Sequence, residues 1–180
     1  MVEPSMEEPR ARGVSLWLVP AGEERDRLAA LVARLAASLG TRPFAPHVTL
    51  LPGLEGPEKR VLATAASVAA SIRPFQVRLV SIEGREEHFR CLIARARADE
   101  PLLCAHAAAS RAFGREPEPA FLPHMSLVYG TLAPAVKARL AAELAAEATV
   151  SFEVVSLHVW RTEGPVDDWR EIGAFGLPAS

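Results

Sequence analysis

Hydrophobic residues along this 180-residue chain recur with two different spacings, one typical of strands and the other of helices. Strands are predicted where short apolar or alternating runs are bounded by glycine, proline or polar residues. These runs cover residues 13–20, 47–51, 75–82, 88–96, 124–129, 150–161 and 169–177. Helices are predicted where apolar residues recur every three or four positions, over residues 23–39, 57–72, 100–113 and 133–146. The pattern therefore predicts a fold that mixes α-helices and β-strands.

The order of predicted elements repeats along the chain. Residues 13–82 and 88–177 each contain strand, helix, strand, helix and strand, which indicates an internal duplication. Two halves related by an approximate two-fold axis would bring their central strands together at one cleft. No Gly/Ser-rich or Pro-rich linker separates the halves, so residues 13–180 are predicted to form a single domain. The polar residues 1–12 are predicted to be a flexible tail.

The two central strands carry the same motif. Residues 44–50 read Phe-x-Pro-His-x-Thr-Leu, and residues 121–127 read Phe-x-Pro-His-x-Ser-Leu. Side chains two positions apart on a strand point to the same face. His47 therefore shares a face with Thr49, and His124 shares one with Ser126, while the intervening apolar residues face the opposite way. Facing each other across a cleft, the two strands would surround a small anion with two imidazoles and two hydroxyls.

This set of groups indicates phosphodiester hydrolysis. An imidazole titrates near neutral pH, so one neutral histidine can take a proton from water while a protonated one donates to the leaving oxygen. Hydroxyl groups can donate to the phosphoryl oxygens on which charge accumulates. A strained cyclic diester fits best because its leaving group needs no metal ion. The sequence contains no carboxylate or Cys/His cluster with metal-ligand spacing, so we expect neither a metal nor another cofactor.

Composition excludes some partners. The formal net charge of −2 provides no basic surface for stable binding of a polynucleotide, although a local set of donors is enough for a small nucleotide. No apolar run has the length of a membrane span or signal peptide, and only two cysteines are present. We therefore expect a cytoplasmic monomer that acts on a small molecule. His88, His106 and His158 have no comparable partner and are predicted at the surface or at a sheet edge.

The paired motifs resemble those of the two-histidine (2H) phosphoesterase superfamily. The flanking segments are most similar to the plant-type cyclic phosphodiesterases, and the likeness extends over nearly the whole chain. The similar segments are residues 15–20, 42–49, 121–129, 160–163 and 169–177. The resemblance implies an α+β fold with two pseudo-symmetric lobes, in which antiparallel sheets line a central cleft and the helices lie outside. It also implies hydrolysis of ADP-ribose 1″,2″-cyclic phosphate and of nucleoside 2′,3′-cyclic phosphates, the latter to 2′-phosphates.

The same resemblance implies roles for individual residues. His47 and His124 take the acid and base roles, with His124 activating water and His47 protonating the leaving oxygen. Thr49 and Ser126 contact the phosphate.

Three aromatic residues are further candidates. Tyr129 is implied as a ligand contact, but simple alternation places it on the face opposite His124, so the strand must twist or bulge there. Trp17 either lines the cleft floor or stacks on a base, and an ordinary core position is an equal alternative. Phe89 is a candidate for the same stacking role.

Two other functions remain open from the sequence. One is an RNA 2′,3′-cyclic phosphodiesterase that acts on RNA ends, for which basic residues near the cleft are expected. The other is a nucleotide-binding module of the same superfamily without catalysis. The presence of both histidines and both hydroxyls favours an active enzyme.

Overall fold

The structure, a computed structural model, describes residues 9–179. This range contains the strands β1 (Val14–Leu18), β2 (Val48–Leu54), β3 (Phe75–Gly84), β4 (Leu92–Ala96), β5 (His124–Val128), β6 (Ser151–Val154), β7 (Ser156–Arg161) and β8 (Arg170–Gly176). Its helices are α1 (Gly22–Leu39), α2 (Glu58–Ser71), α3 (Glu100–Ala112) and α4 (Pro134–Ala148). Short 3₁₀ turns occur at His88–Arg90 and Val166–Asp168. The α+β class and the antiparallel arrangement predicted from the sequence are confirmed.

The eight strands form one curled sheet in the order β6-β3-β4-β5-β2-β1-β7-β8. The neighbouring strands pair antiparallel. The two motif strands, β2 and β5, are adjacent at the centre of the sheet. On either side of them lie first β1 and β4, then β7 and β3, and at the edges β8 and β6. β3, from the first half of the sequence, lies beside β4 of the second half, and β7, from the second half, lies beside β1 of the first, so each half contributes a strand to the lobe of the other. The motif strands themselves pair only at Val48 and Met125, so the sheet opens into a cleft at this point.

The sheet positions the motifs by burying their apolar faces. Val48 and Leu50 on β2, and Met125 and Leu127 on β5, are almost fully buried in the core. Helix α3 packs against β2, and α1 packs against β5. Burying these apolar side chains on the helical side leaves the histidine and hydroxyl positions on the face that forms the cleft.

Three predicted strands differ from the structure by more than two residues at one end or in their continuity. The sequence predicted that β2 ends before Pro52 and Gly53, but the strand continues to Leu54 through a register shift. Gly53 adopts a φ of 62°, a conformation that glycine takes without strain and that accommodates this irregularity. The predicted strand 88–96 begins as a 3₁₀ turn, and strand structure starts only at Leu92.

The third difference concerns the predicted strand 150–161, which is divided into two. β6 pairs with β3 and β7 pairs with β1, so the segment crosses from one lobe to the other at Val155. The alternation of apolar and polar residues is the same in one long strand as in two short ones. Only the pairing of β6 with β3 and of β7 with β1 distinguishes the two cases. The predicted tail, residues 1–12, lies mostly outside the described residues, and Ala11 forms an isolated bridge with Gly164.

Candidate active site

The structure brings all the candidate site residues of the sequence to one cleft of about 220 Å³ where β2 and β5 meet. These residues are Trp17, His47, Thr49, Phe89, His124, Ser126 and Tyr129. Residues that the sequence analysis missed complete the lining, among them Ser15, Arg90, Thr162 and Trp169.

The two cleft histidines are held by equivalent hydrogen bonds. Nδ1 of His47 lies 2.6 Å from the carbonyl oxygen of Ala45, and Nδ1 of His124 lies 2.8 Å from that of Leu122. A carbonyl oxygen can only accept, so Nδ1 carries the hydrogen in both rings and Nε2 retains its lone pair. In both cases the carbonyl belongs to the residue before the proline, so the Pro-His sequence itself orients the imidazole. Both rings therefore keep Nε2 for proton transfer.

The surroundings of the two imidazoles disfavour their charged forms. Burial lowers the pKa of His47 from 6.5 to about 3, against the opposing effect of its hydrogen bond to Ala45, and His124 lowers it further. The pKa of His124 is also lowered by burial, with smaller contributions from the positive charges of Arg90 and Arg85. Both histidines are therefore neutral in the free protein near pH 7.

Trp17 packs directly against the first histidine. Its ring stacks on His47 with centroids 3.4 Å apart and planes within 5°, and it also stacks on Trp160 at 4.4 Å. Trp17 is only 1% exposed, so it is a core residue that also forms the floor of the cleft. The stack covers one face of the imidazole and thereby contributes to its desolvation.

Tyr129 reaches the cleft because the strand stops one residue before it. β5 ends at Val128, so strict alternation no longer applies at position 129. The ring stacks on Phe44 at 3.7 Å and meets Phe89 edge-on at 5.3 Å. Burial raises the pKa of the Tyr129 hydroxyl, so this residue is a neutral hydrogen-bonding group.

The two motif hydroxyls have different surroundings. Thr49 is half-buried and lines the cleft. Ser126 is buried, and its hydroxyl donates to the carbonyl oxygen of Phe89 at 2.8 Å. The backbone N–H of Gly130 donates to the carbonyl of His88 at 2.9 Å. The end of β5 thus fixes the 3₁₀ turn that precedes β4.

That turn presents Arg90, which is the one cationic side chain lining the cleft within residues 9–179. Its nearest ion-pair partner is Glu87, at 3.9 Å. Arg90 was not predicted as a site residue, because its segment was predicted to be a regular strand, in which alternation gives no reason for a cleft position. The one indication in the sequence was the adjacent Phe89, which was a candidate for stacking on the substrate.

Within the described part of the chain, no group of three or more His, Cys, Asp or Glu side chains is arranged to hold a metal ion. The helices described between residues 9 and 179 include none that is long and apolar enough to cross a membrane.

Known proteins share both the sequence pattern and the fold of this chain. The sequence model of the 2'-5' RNA ligase superfamily matches residues 25–165. The structure of E. coli LigT in apo form has a TM-score of 0.61 and 14% identity, covering 94% of this chain and 99% of that chain. TT0787 of Thermus thermophilus has a TM-score of 0.63 and 20% identity, covering 93% and 99%. E. coli LigT complexed with 3'-AMP has a TM-score of 0.60 and 14% identity, covering 93% and 99%. No curated protein sequence matches the chain significantly.

Proposed function

Because this chain belongs to the 2'-5' RNA ligase superfamily of 2H phosphoesterases, we propose that it hydrolyses small cyclic phosphodiesters with its two cleft histidines and without a metal ion. The observation that carries the proposal is the matched pair of imidazoles. Each is oriented by a backbone carbonyl through Nδ1, and each keeps Nε2 for a reaction in one shared cleft.

In the proposed reaction, His124 takes a proton from water as the water oxygen bonds to phosphorus. The bond from phosphorus to one ring oxygen breaks, and His47 gives that oxygen a proton. The products are a phosphomonoester and a free hydroxyl, so a nucleoside 2′,3′-cyclic phosphate yields the 2′-phosphate. The assignment of His124 as the base and His47 as the acid follows the family resemblance, because equivalent hydrogen bonds through Nδ1 orient both rings.

The negative charge of the substrate favours the protonated histidine that the reaction needs. In the free protein, burial favours the neutral form of both imidazoles. A phosphodiester anion between them favours protonation of one, because an opposite charge nearby stabilises the imidazolium. Binding and formation of the reactive protonation state are therefore coupled.

Two other cleft groups are assigned to the phosphate. The Thr49 hydroxyl lines the cleft and donates to a phosphoryl oxygen. Arg90 provides the positive charge, and a charge-assisted hydrogen bond from a guanidinium is among the stronger polar contacts. Ser126 uses its one hydroxyl hydrogen to hold the carbonyl of Phe89, and thereby the turn that presents Arg90, so its predicted contact with the phosphate requires the hydroxyl to change partner when substrate binds.

The substrate class we favour is the one of the plant-type cyclic phosphodiesterases, namely ADP-ribose 1″,2″-cyclic phosphate and nucleoside 2′,3′-cyclic phosphates. The flanking segments of the motifs, including Trp17 in β1, resemble that subgroup. A cleft of about 220 Å³ suits a small cyclic phosphate. Activity on RNA ends is the second candidate, because the matching superfamily is that of the 2'-5' RNA ligases.

A turnover panel tests the proposal. Purified protein is assayed with ADP-ribose 1″,2″-cyclic phosphate, the four nucleoside 2′,3′-cyclic phosphates and a short RNA ending in a 2′,3′-cyclic phosphate. Hydrolysis of the small molecules at a higher kcat/KM than the RNA supports the first function, and the opposite ranking supports the second. Absence of turnover on every substrate refutes both hydrolytic functions and favours a nucleotide-binding module without catalysis. His47→Ala is the negative control for a contaminating enzyme.

The roles of the two histidines are separated by a substrate with a good leaving group. A p-nitrophenyl phosphodiester needs little protonation of its leaving oxygen, so loss of the general acid should matter much less for it. We expect His47→Ala to recover activity on this substrate and His124→Ala to remain impaired. Recovery by His124→Ala alone would reverse the assignment.

A further inference from the structure

A second cavity of about 220 Å³ adjoins the catalytic cleft. Both cavities are lined by Thr49, Pro52, Arg90 and His124. Three of these side chains surround the phosphate in the proposed function. A substituent of that phosphate can therefore extend between them into the second cavity.

One wall of the second cavity is flat and aromatic. The rings of His106 and Phe121 stack with centroids 3.8 Å apart and planes within 2°. Leu51 and Leu122 add apolar surface beside them. The sequence predicted His106 at the surface, and that prediction was wrong, since the residue is 4% exposed. A wall of this kind suits a planar heterocycle better than a sugar or a second phosphate.

The same wall contains polar atoms whose hydrogen-bonding capacity is unused. Nδ1 of His106 donates to the carbonyl oxygen of Leu50 at 2.9 Å, so its Nε2 is an acceptor. Ser110, one helical turn later on α3, is 1% exposed. Within residues 9–179, neither Nε2 of His106 nor the Ser110 hydroxyl has a hydrogen-bond partner. Buried polar groups are normally paired, so two unpaired ones beside a cavity point to a ligand that supplies the partners.

The loop that closes the cavity is anchored and acidic. Arg115 donates to the carbonyl oxygen of Pro52 at 2.7 Å and also to that of Gly53, which fixes the loop to the end of β2. Glu116 and Glu118 line the cavity from this loop. Their two carboxylates accept hydrogen bonds and balance the guanidinium groups of Arg90 and Arg115, which line the same cavity. The cavity therefore favours a neutral ligand that carries N–H donors.

We propose that the second cavity binds the base of the substrate nucleotide and prefers bases with an exocyclic amino group, adenine above all, over uracil. The placement of the phosphate rests on the proposed function. The amino group donates to Nε2 of His106 while the Ser110 hydroxyl donates to a neighbouring ring nitrogen. Both atoms are buried in the free protein, so the half-buried ring of Phe121 shifts as the base enters, and the base stacks on that ring.

Equilibrium binding tests the proposal independently of turnover. Calorimetry with 2′-AMP, 2′-UMP and inorganic phosphate is performed on the wild-type protein and on Ser110→Ala. We expect 2′-AMP to bind at least tenfold more tightly than phosphate and severalfold more tightly than 2′-UMP. Loss of one neutral hydrogen bond should weaken 2′-AMP about fivefold in Ser110→Ala and leave phosphate unchanged. The thermal midpoint should not fall, because the hydroxyl has no partner to lose.

Two additional variants make the test specific. Ser67→Ala removes a serine from the exposed side of α2 and should change no affinity. Phe121→Leu keeps an apolar side chain but removes stacking, and it should weaken 2′-AMP more than phosphate. Equal affinity for all three ligands, absence of any nucleotide binding, or equal weakening of every ligand in Ser110→Ala would overturn the proposal. Base-dependent binding without hydrolysis would refute the proposed reaction alone, and hydrolysis without base preference would refute the base site alone.

Discussion

Acidification should destabilise this protein, because the folded state resists protonation of His47. The imidazole is 5% exposed and stacked on Trp17, and burial lowers its pKa to about 3. In the unfolded chain its pKa returns to about 6.5. Between these two values the unfolded state binds a proton that the folded state does not. The free energy of unfolding therefore falls as the pH is lowered through this window.

The size of the effect follows from the two pKa values. For a single site with a pKa of about 3 when folded and 6.5 when unfolded, linkage predicts a loss of about 2 kcal/mol at pH 5. The loss grows to about 3 kcal/mol at pH 4 and approaches about 5 kcal/mol at lower pH. A small domain is stable by only about 5–15 kcal/mol, so this one residue is a substantial part of its acid sensitivity.

The assay compares urea unfolding of the wild-type protein and His47→Gln at pH 7, 5 and 4. Glutamine is uncharged at every pH and can still donate to the carbonyl of Ala45. Relative to the variant, the wild-type protein should lose about 2 and 3 kcal/mol at the two lower pH values. NMR titration of the His47 ring should show a midpoint far below 6.5, raised when inorganic phosphate binds. A midpoint near 6.5, or a stability difference that does not change with pH, would refute the reasoning.

The remaining predictions concern catalysis. Replacing His47 or His124 with alanine should lower kcat by roughly 10²–10⁴, measured on the best substrate of the panel, and near wild-type turnover by either variant would exclude it from acid–base catalysis. Activity should survive EDTA and dialysis, and loss that one divalent ion restores would indicate a metalloenzyme. The pH profile of kcat/KM should be bell-shaped with its optimum below pH 6.5, because the pKa values of both histidines are lowered in the free protein. The optimum of the kcat profile should lie at higher pH, because bound phosphate favours the imidazolium. Arg90→Gln should lower kcat/KM about 10- to 150-fold and weaken phosphate binding. Arg85→Gln is the matched control, because Arg85 also lowers the pKa of His124 but does not line the cleft. Equal phosphate affinity in the two variants would contradict a direct contact from Arg90.

Local regularity explains what could be predicted from the sequence. Both ends of all four helices were predicted to within two residues, because each helix has a continuous apolar stripe, and Gly40 marks the end of α1. The same holds for the cleft faces of β2 and β5, since alternation alone places His47 with Thr49 and His124 with Ser126. The errors fall where regular spacing stops. His88–Arg90 turns instead of extending, and Val155 separates two strands that a single pattern covers.

The sequence by itself determined the element types, the duplication and the chemical groups of the cleft, because these depend on spacing within short segments. The tertiary structure alone decided which distant segments meet. It placed Trp17 against His47, turned Tyr129 inward at the end of β5, and brought Arg90 to the cleft that holds both histidines. It also buried His106 beside a second cavity. Burial and long-range contacts set these positions and the lowered pKa values, and neither is encoded in the periodicity of any one segment.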